Sequence, residues 1–152
     1  HSFPTRRSSD LEAPIYIAWS VTNRSPLIRI PVTRGEGTRV ELRCPDSAAN
    51  PYLTLAVCLQ AGLDGIRNQI EPPAAVTENV FEMRMSQKNK LGIEELPADL
   101  GEALAEFEKD EYLQNVLGRH ATEKYIEAKK SEWADYRAQV SDWEINNYLY
   151  KI

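Results

Sequence analysis

Apolar and polar positions alternate early in the chain. Ile15, Ile17 and Trp19 share one parity, and Tyr16, Ala18 and Ser20 the other. That is the period of a strand with one buried face. Ile28 and Ile30 alternate with Leu27 and Arg29, which predicts a second strand ending at Pro31. The polar run "TRGEG", residues 33–37, predicts a turn. Val40, Leu42 and Cys44 then alternate with Arg39, Glu41 and Arg43, which predicts the best-defined strand and sets those three charged side chains on one face.

After residue 50 the period changes to that of helices. Asn50 is a candidate cap and Pro51 suits a first turn. The stripe of Leu53, Val57 and Ala61, widened by Leu59, Gly62, Leu63 and Ile66, predicts a largely buried helix. "EPPAAVTENVFEMRMS" has no regular period and reads as a long connection, with a role in function or in packing across a surface. Asp99 with Glu102 has capping-box spacing ahead of "ALAEFEKD". "EYLQNVLG" predicts a short helix closed by Gly118. Ile126, Trp133 and Val140 fall seven apart on one stripe of a longer helix, and Ser141 with Glu144 opens a terminal one. The pattern is α+β: antiparallel strands followed by a mainly helical C-terminal half.

Charge sharpens this division. The 152 residues carry 18 Lys and Arg against 23 Asp and Glu, a net charge of −5. That balance argues against a general nucleic-acid binder. No apolar run has the length to span a bilayer. From Trp19 to Pro45 five arginines (24, 29, 34, 39, 43) face only Glu36 and Glu41, whereas residues 71–152 hold 17 acidic and 10 basic residues. The basic strand half suits a compact anion. Cys44 and Cys58 have no paired metal spacing, which fits a reducing, cytoplasmic compartment.

The face of Arg39, Glu41 and Arg43 allows two readings. In one, Glu41 pairs with its flanking arginines on a surface sheet. In the other, the arginines form a polyanion site, since guanidinium forks suit phosphate or carboxylate oxygens, and Glu41 helps to hold a divalent metal. Other residues point to less. His120 starts a helix and reads as a cap or surface residue. Trp133, Trp143, Tyr148 and Tyr150 read as packing between helices or subunits. The "GEG" turn lacks the lysine and the strand-to-helix setting of a phosphate loop.

The stretches "EAPIYIAWSVTNRSPLIRIP" and "TRVELRCPDSAANPYLTLAVCLQAGLDGI" resemble the C-terminal part of the catalytic domain of type I glutamine synthetase. The resemblance runs from Glu12 to Ile152, a single fragment of that domain. Residues 1–11, "HSFPTRRSSDL", instead resemble a translated sequencing adapter and are expected to be a non-native leader. The resemblance implies a ligase that makes glutamine from glutamate, ammonium and ATP through γ-glutamyl phosphate, with Mg2+ or Mn2+. It implies that Glu12 is a flap residue that closes over glutamate and helps to deprotonate ammonium. Arg24 would stabilise the transferring phosphoryl group, and Arg29 and Arg39 would flank the nucleotide phosphates. Glu41 would be a metal ligand, and Arg43 would span glutamate and the acyl phosphate. It also implies a homo-dodecamer of two hexameric rings, with "INNYLYKI" in the tail that reaches the other ring. Some members carry an adenylylated tyrosine in the long loop, where this chain has Phe81.

The match departs at Leu11, where the family has an aromatic residue, and the upstream metal ligands are absent. Four alternatives follow: an inactive fragment, a piece acting only in oligomer assembly, a γ-glutamyl amine or polyamine ligase, and a phosphate-binding module.

Overall fold

A computed structural model describes residues 14–46 and 48–149. Glu12, the leader, and Tyr150 to Ile152 lie outside them. The strands are short: β1 (Tyr16–Ile17), β2 (Trp19–Ser20), β3 (Ile28–Arg29), β4 (Glu41–Leu42) and β5 (Glu94–Glu95). The helices are α1 (Pro51–Arg67), α2 (Met85–Leu91), α3 (Leu100–Lys109), α4 (Glu111–Leu117), α5 (Arg119–Arg137) and α6 (Asp142–Glu144). The α+β division is therefore as the periodicity predicts.

The strands are mixed and not wholly antiparallel. β1 pairs antiparallel with β5, and β3 antiparallel with β4, but β2 and β3 run parallel. The cause is local. Ser20 Oγ accepts from the backbone N–H groups of Thr22 and Asn23, at 3.3 and 3.2 Å, and curls the chain back on itself. Leu27, Ile28 and Ile30 then donate to the carbonyls of Tyr16, Ala18 and Ser20. The chain thus re-enters beside its own start in the same direction.

The buried face of this first stretch is that of Tyr16, Ala18 and Ser20, not the more apolar set. Partners decide it. The small side chains of Ala18 and Ser20 let residues 73–80 lie against the strand. There Val76 N donates to Trp19 O at 2.9 Å, and Trp19 Nε1 to Pro73 O at 2.7 Å. The Tyr16 hydroxyl meets the ammonium of buried Lys88 at 2.6 Å, and that ammonium also lies 3.8 Å from the ring centroid. A buried polar group is stable only when bonded in this way. Ile17, by contrast, is 44% exposed. The aperiodic connection consequently holds part of the core, because Val76 and fully buried Val80 pack with Tyr16 and Ala18.

The helical half follows its caps. Asn50 Oδ1 accepts from Tyr52 N and Leu53 N, Asp99 Oδ1 from Glu102 N, and Ser141 Oγ from Glu144 N. Gly118, at φ +78°, closes α4 and leads into α5. Leu104 is buried, and Phe107 meets Tyr125 edge-on at 5.8 Å. Trp133 lies over Gly101, where an added Cβ would stand 2.5 Å from its indole nitrogen.

Two helical expectations need correction. No residue of α1 is buried, and Tyr52, Leu55, Leu59 and Ile66 are exposed. Leu53 and Val57 line a cavity of about 280 Å3 against α3–α5. The apolar stripe is wider than the surface that the described residues set against it. Second, α5 ends at Arg137, so Val140 leaves the stripe and is exposed. The terminal helix is one α turn followed by a π turn over Ile145–Leu149. Among the described residues no helix is long and apolar enough to cross a membrane.

Candidate functional site

Pairing of β3 with β4 sets Arg29 opposite Glu41. Arg29 Nη1 donates to Glu41 Oε2 at 2.9 Å. Arg39, two residues before Glu41 and just ahead of β4, reaches Oε1 with Nη2 at 2.7 Å and Nε at 2.9 Å. Its Nη1 donates to Gly37 O at 3.1 Å, which ties it to the turn. The Arg29 guanidinium chiefly holds the Glu41 carboxyl below its ordinary value; burial opposes this, and the hydrogen bond from Arg39 adds to the lowering.

Glu41 therefore pairs with Arg39 and with a cross-strand arginine, not with both of its flanking arginines. Arg43 serves its strand through the backbone, donating to Leu27 O at 2.9 Å. Its Nη1 is buried and has no hydrogen-bond partner, as is Nε of Arg29. Such donors are costly to leave unmet and are suited to an incoming oxygen acceptor. Arg24 projects from the turn of residues 21–27 and is exposed. Of the six predicted residues the structure thus joins Arg29, Arg39 and Glu41 directly. Glu12 lies outside the described residues.

Two neighbours of Arg24 were visible only as parts of a motif. Asn23 and Ser25 turn out to be bonded to the segment Val76–Val80. No period in the sequence relates positions so far apart.

The donor set bears on a divalent metal. A carboxylate suits Mg2+ or Mn2+, which take several oxygens. Among the described residues no group of three His, Cys, Asp or Glu side chains could hold an ion. Both Glu41 oxygens already accept from arginine. Among the described residues these side chains do not form a metal site by themselves.

Residues 4–148 match the family described as "Glutamine synthetase, catalytic domain". The chain belongs to this family. It is 52% identical over 140 residues to the glutamine synthetase of Clostridium saccharobutylicum, a match covering 92% of this chain and 32% of that protein. It is 50% identical over 139 residues to that of Thermotoga maritima, covering 91% and 32%. Among solved structures it is similar to a GmaS/ADP complex, at 37% identity and a TM-score of 0.79, covering 91% of this chain and 30% of that one. GmaS without ligand gives 36% identity and a TM-score of 0.78, covering 96% and 32%. The chain therefore spans about a third of the length of the glutamine synthetases it matches.

Proposed function

We propose that this chain supplies part of an ATP-dependent ligase that joins glutamate to an amine through γ-glutamyl phosphate. The observation that carries this reading is the cross-strand grouping of Arg29, Glu41 and Arg39 inside the family match. In the first step a γ-carboxylate oxygen of glutamate bonds to the γ-phosphorus of ATP, and ADP leaves. In the second the amine nitrogen bonds to the acyl carbon, phosphate leaves, and the nitrogen gives up a proton.

Arg29 and Arg39 flank the nucleotide phosphates. Arg24 faces the transferring phosphoryl group, and Arg43 spans glutamate and the acyl phosphate. Cations fixed in advance stabilise charge that spreads over several oxygens as the phosphoryl group moves. Glu12 closes over the site and takes the proton, excluding water that would hydrolyse the acyl phosphate. Glu41 would offer one carboxylate to a Mg2+ or Mn2+ ion only by giving up an arginine contact, with further oxygens supplied from elsewhere. Such an ion would neutralise phosphate charge.

The whole protein on this reading is a cytoplasmic type I enzyme assembled as a dodecamer of two hexameric rings. The acceptor divides two readings. Ammonium is favoured by the relatives named glutamine synthetase, which reach 52% identity. A larger amine is favoured by the likeness to the two GmaS structures. The test is a full-length ligase carrying this chain, supplied with ATP, glutamate and Mn2+ and offered ammonium, methylamine or putrescine in turn. A γ-glutamyl product identifies the acceptor. Absence of product and of phosphate release with every amine would reject the ligase reading.

A further inference from the structure

Arg24 is flanked by two side chains that reach far along the chain. Asn23 Nδ2 donates to Val76 O at 3.2 Å and to Glu78 O at 3.0 Å. Asn23 Oδ1 accepts from Ser25 N at 2.9 Å and from Ser25 Oγ at 2.8 Å. Ser25 Oγ in turn accepts from Val80 N at 3.0 Å, in a buried setting. Each polar atom of the two side chains is used. Pro26 and Val80, both fully buried, anchor the ends of this arrangement.

Between these fixed neighbours Arg24 is exposed, and among the described residues its guanidinium makes no hydrogen bond or ion pair. It borders a cavity of about 230 Å3 shared with Asn23, Ser25, Asn79 and Phe81. A turn that only reversed the chain would not need its exposed residue held from both sides by bonds to residues 53 to 55 positions away. Arginine is long and loses much rotamer freedom when it is fixed. Locking the backbone on either side narrows the region its fork can reach before any ligand arrives.

We propose that Asn23 and Ser25 are positioning residues for Arg24, and that the segment Val76–Val80 is the support against which they hold it. The proposal rests on the reading of Arg24 as the arginine at the transferring phosphoryl group. It adds that a segment more than fifty residues away sets where that arginine points. Asn23→Asp keeps an acceptor for Ser25 but removes the donors to Val76 O and Glu78 O. Ser25→Ala removes the acceptor for Val80 N and the donor to Asn23.

The experiment measures steady-state phosphate release by a full-length ligase carrying this chain, for Arg24→Ala, Asn23→Asp, Ser25→Ala and the Arg24→Ala/Ser25→Ala double variant. The expected result is a fall in kcat of about 100-fold for Asn23→Asp and Ser25→Ala, as misplacement by about 1 Å produces. KM for ATP and glutamate should change little. In the Arg24→Ala background Ser25→Ala should cost nothing further, which is the mark of two residues acting through one group. An undiminished loss in that background shows a purely structural role and overturns the proposal. Normal kcat in Asn23→Asp and Ser25→Ala, with a crippled Arg24→Ala, overturns the proposal and leaves the ligase reading intact. Full activity of Arg24→Ala removes the assigned role of Arg24, and the proposal with it. A second measurement guards against misfolding. Hydrogen exchange at the Val80 amide of the chain should quicken in Ser25→Ala, and unchanged protection would show that the link does not support the turn.

Discussion

Glu41 shows how little a residue's charge says without its neighbours. Two guanidinium groups share its carboxylate, one from two residues earlier in the chain and one from across the sheet. Because that carboxyl titrates below the ordinary value of 4.5, the pairs contribute stability above the ordinary value, and that stability is lost as pH falls through the lower one in the folded state. In Glu41→Gln this part of the acid dependence should vanish, so thermal unfolding of variant and parent followed from pH 6 downward should converge. An unchanged difference across that range would deny the pairs any role. In a full-length ligase the same change should greatly reduce phosphoryl transfer and weaken the dependence on Mg2+ or Mn2+. Activity and metal titration like those of the parent would instead favour a structural ion pair. Phe81 supports a second expectation at this scale. It meets Tyr16 edge-on at 5.5 Å and carries no hydroxyl to accept a nucleotidyl group. Mass spectrometry of the peptide spanning Thr77 to Arg84 should find no adenylylation, and a nucleotidylated residue there would refute the assignment.

The elements owe their ends to side chains and their faces to partners. Gly101 permits the close approach of α3 to α5, since a Cβ there would collide with the Trp133 indole. Gly101→Ala should therefore destabilise the chain by about 1–3 kcal/mol, despite alanine's better helix propensity, because overpacking forces the ring to move. Chemical denaturation reads this directly, and a gain in stability would show that the indole gives way freely. Caps were legible in the sequence, because Asn50, Asp99 and Ser141 act on groups two or three residues away. The α+β division and the shared face of Arg39 and Glu41 were legible for the same reason of short range. What was not legible depends on distance. Tyr16 and Ser20 face inward because Lys88 and residues 73–80 meet that face, and Arg29 reaches Glu41 only through strand pairing. The core role of Val76 and Val80 was hidden in a stretch without period, where burial comes from tertiary contact alone.

On the scale of the molecule, a wide apolar stripe on α1 stays open. Leu55 and Leu59 are 68% and 63% exposed, and Tyr52 and Ile66 are more so. The chain spans about a third of its relatives' length, so on the proposed reading the isolated chain should lack ligase activity and should self-associate. Residues 12–152 incubated with ATP, glutamate, ammonium and Mn2+ should yield no glutamine, and light scattering should show mixed sizes. Turnover comparable with that of a full-length ligase would refute the first expectation, and a clean monomer the second. The antiparallel pairing of Tyr16 with Glu95 has a consequence for the order of events during synthesis. At about 5–20 residues per second the ribosome needs roughly 4–16 s to proceed from one partner to the other. Until residue 80 has been made the first strand has neither β5 nor the Val76–Val80 segment to cover it, and α1 is made within that interval with its apolar face open. The first strand can therefore complete its pairing only when translation has passed Glu95.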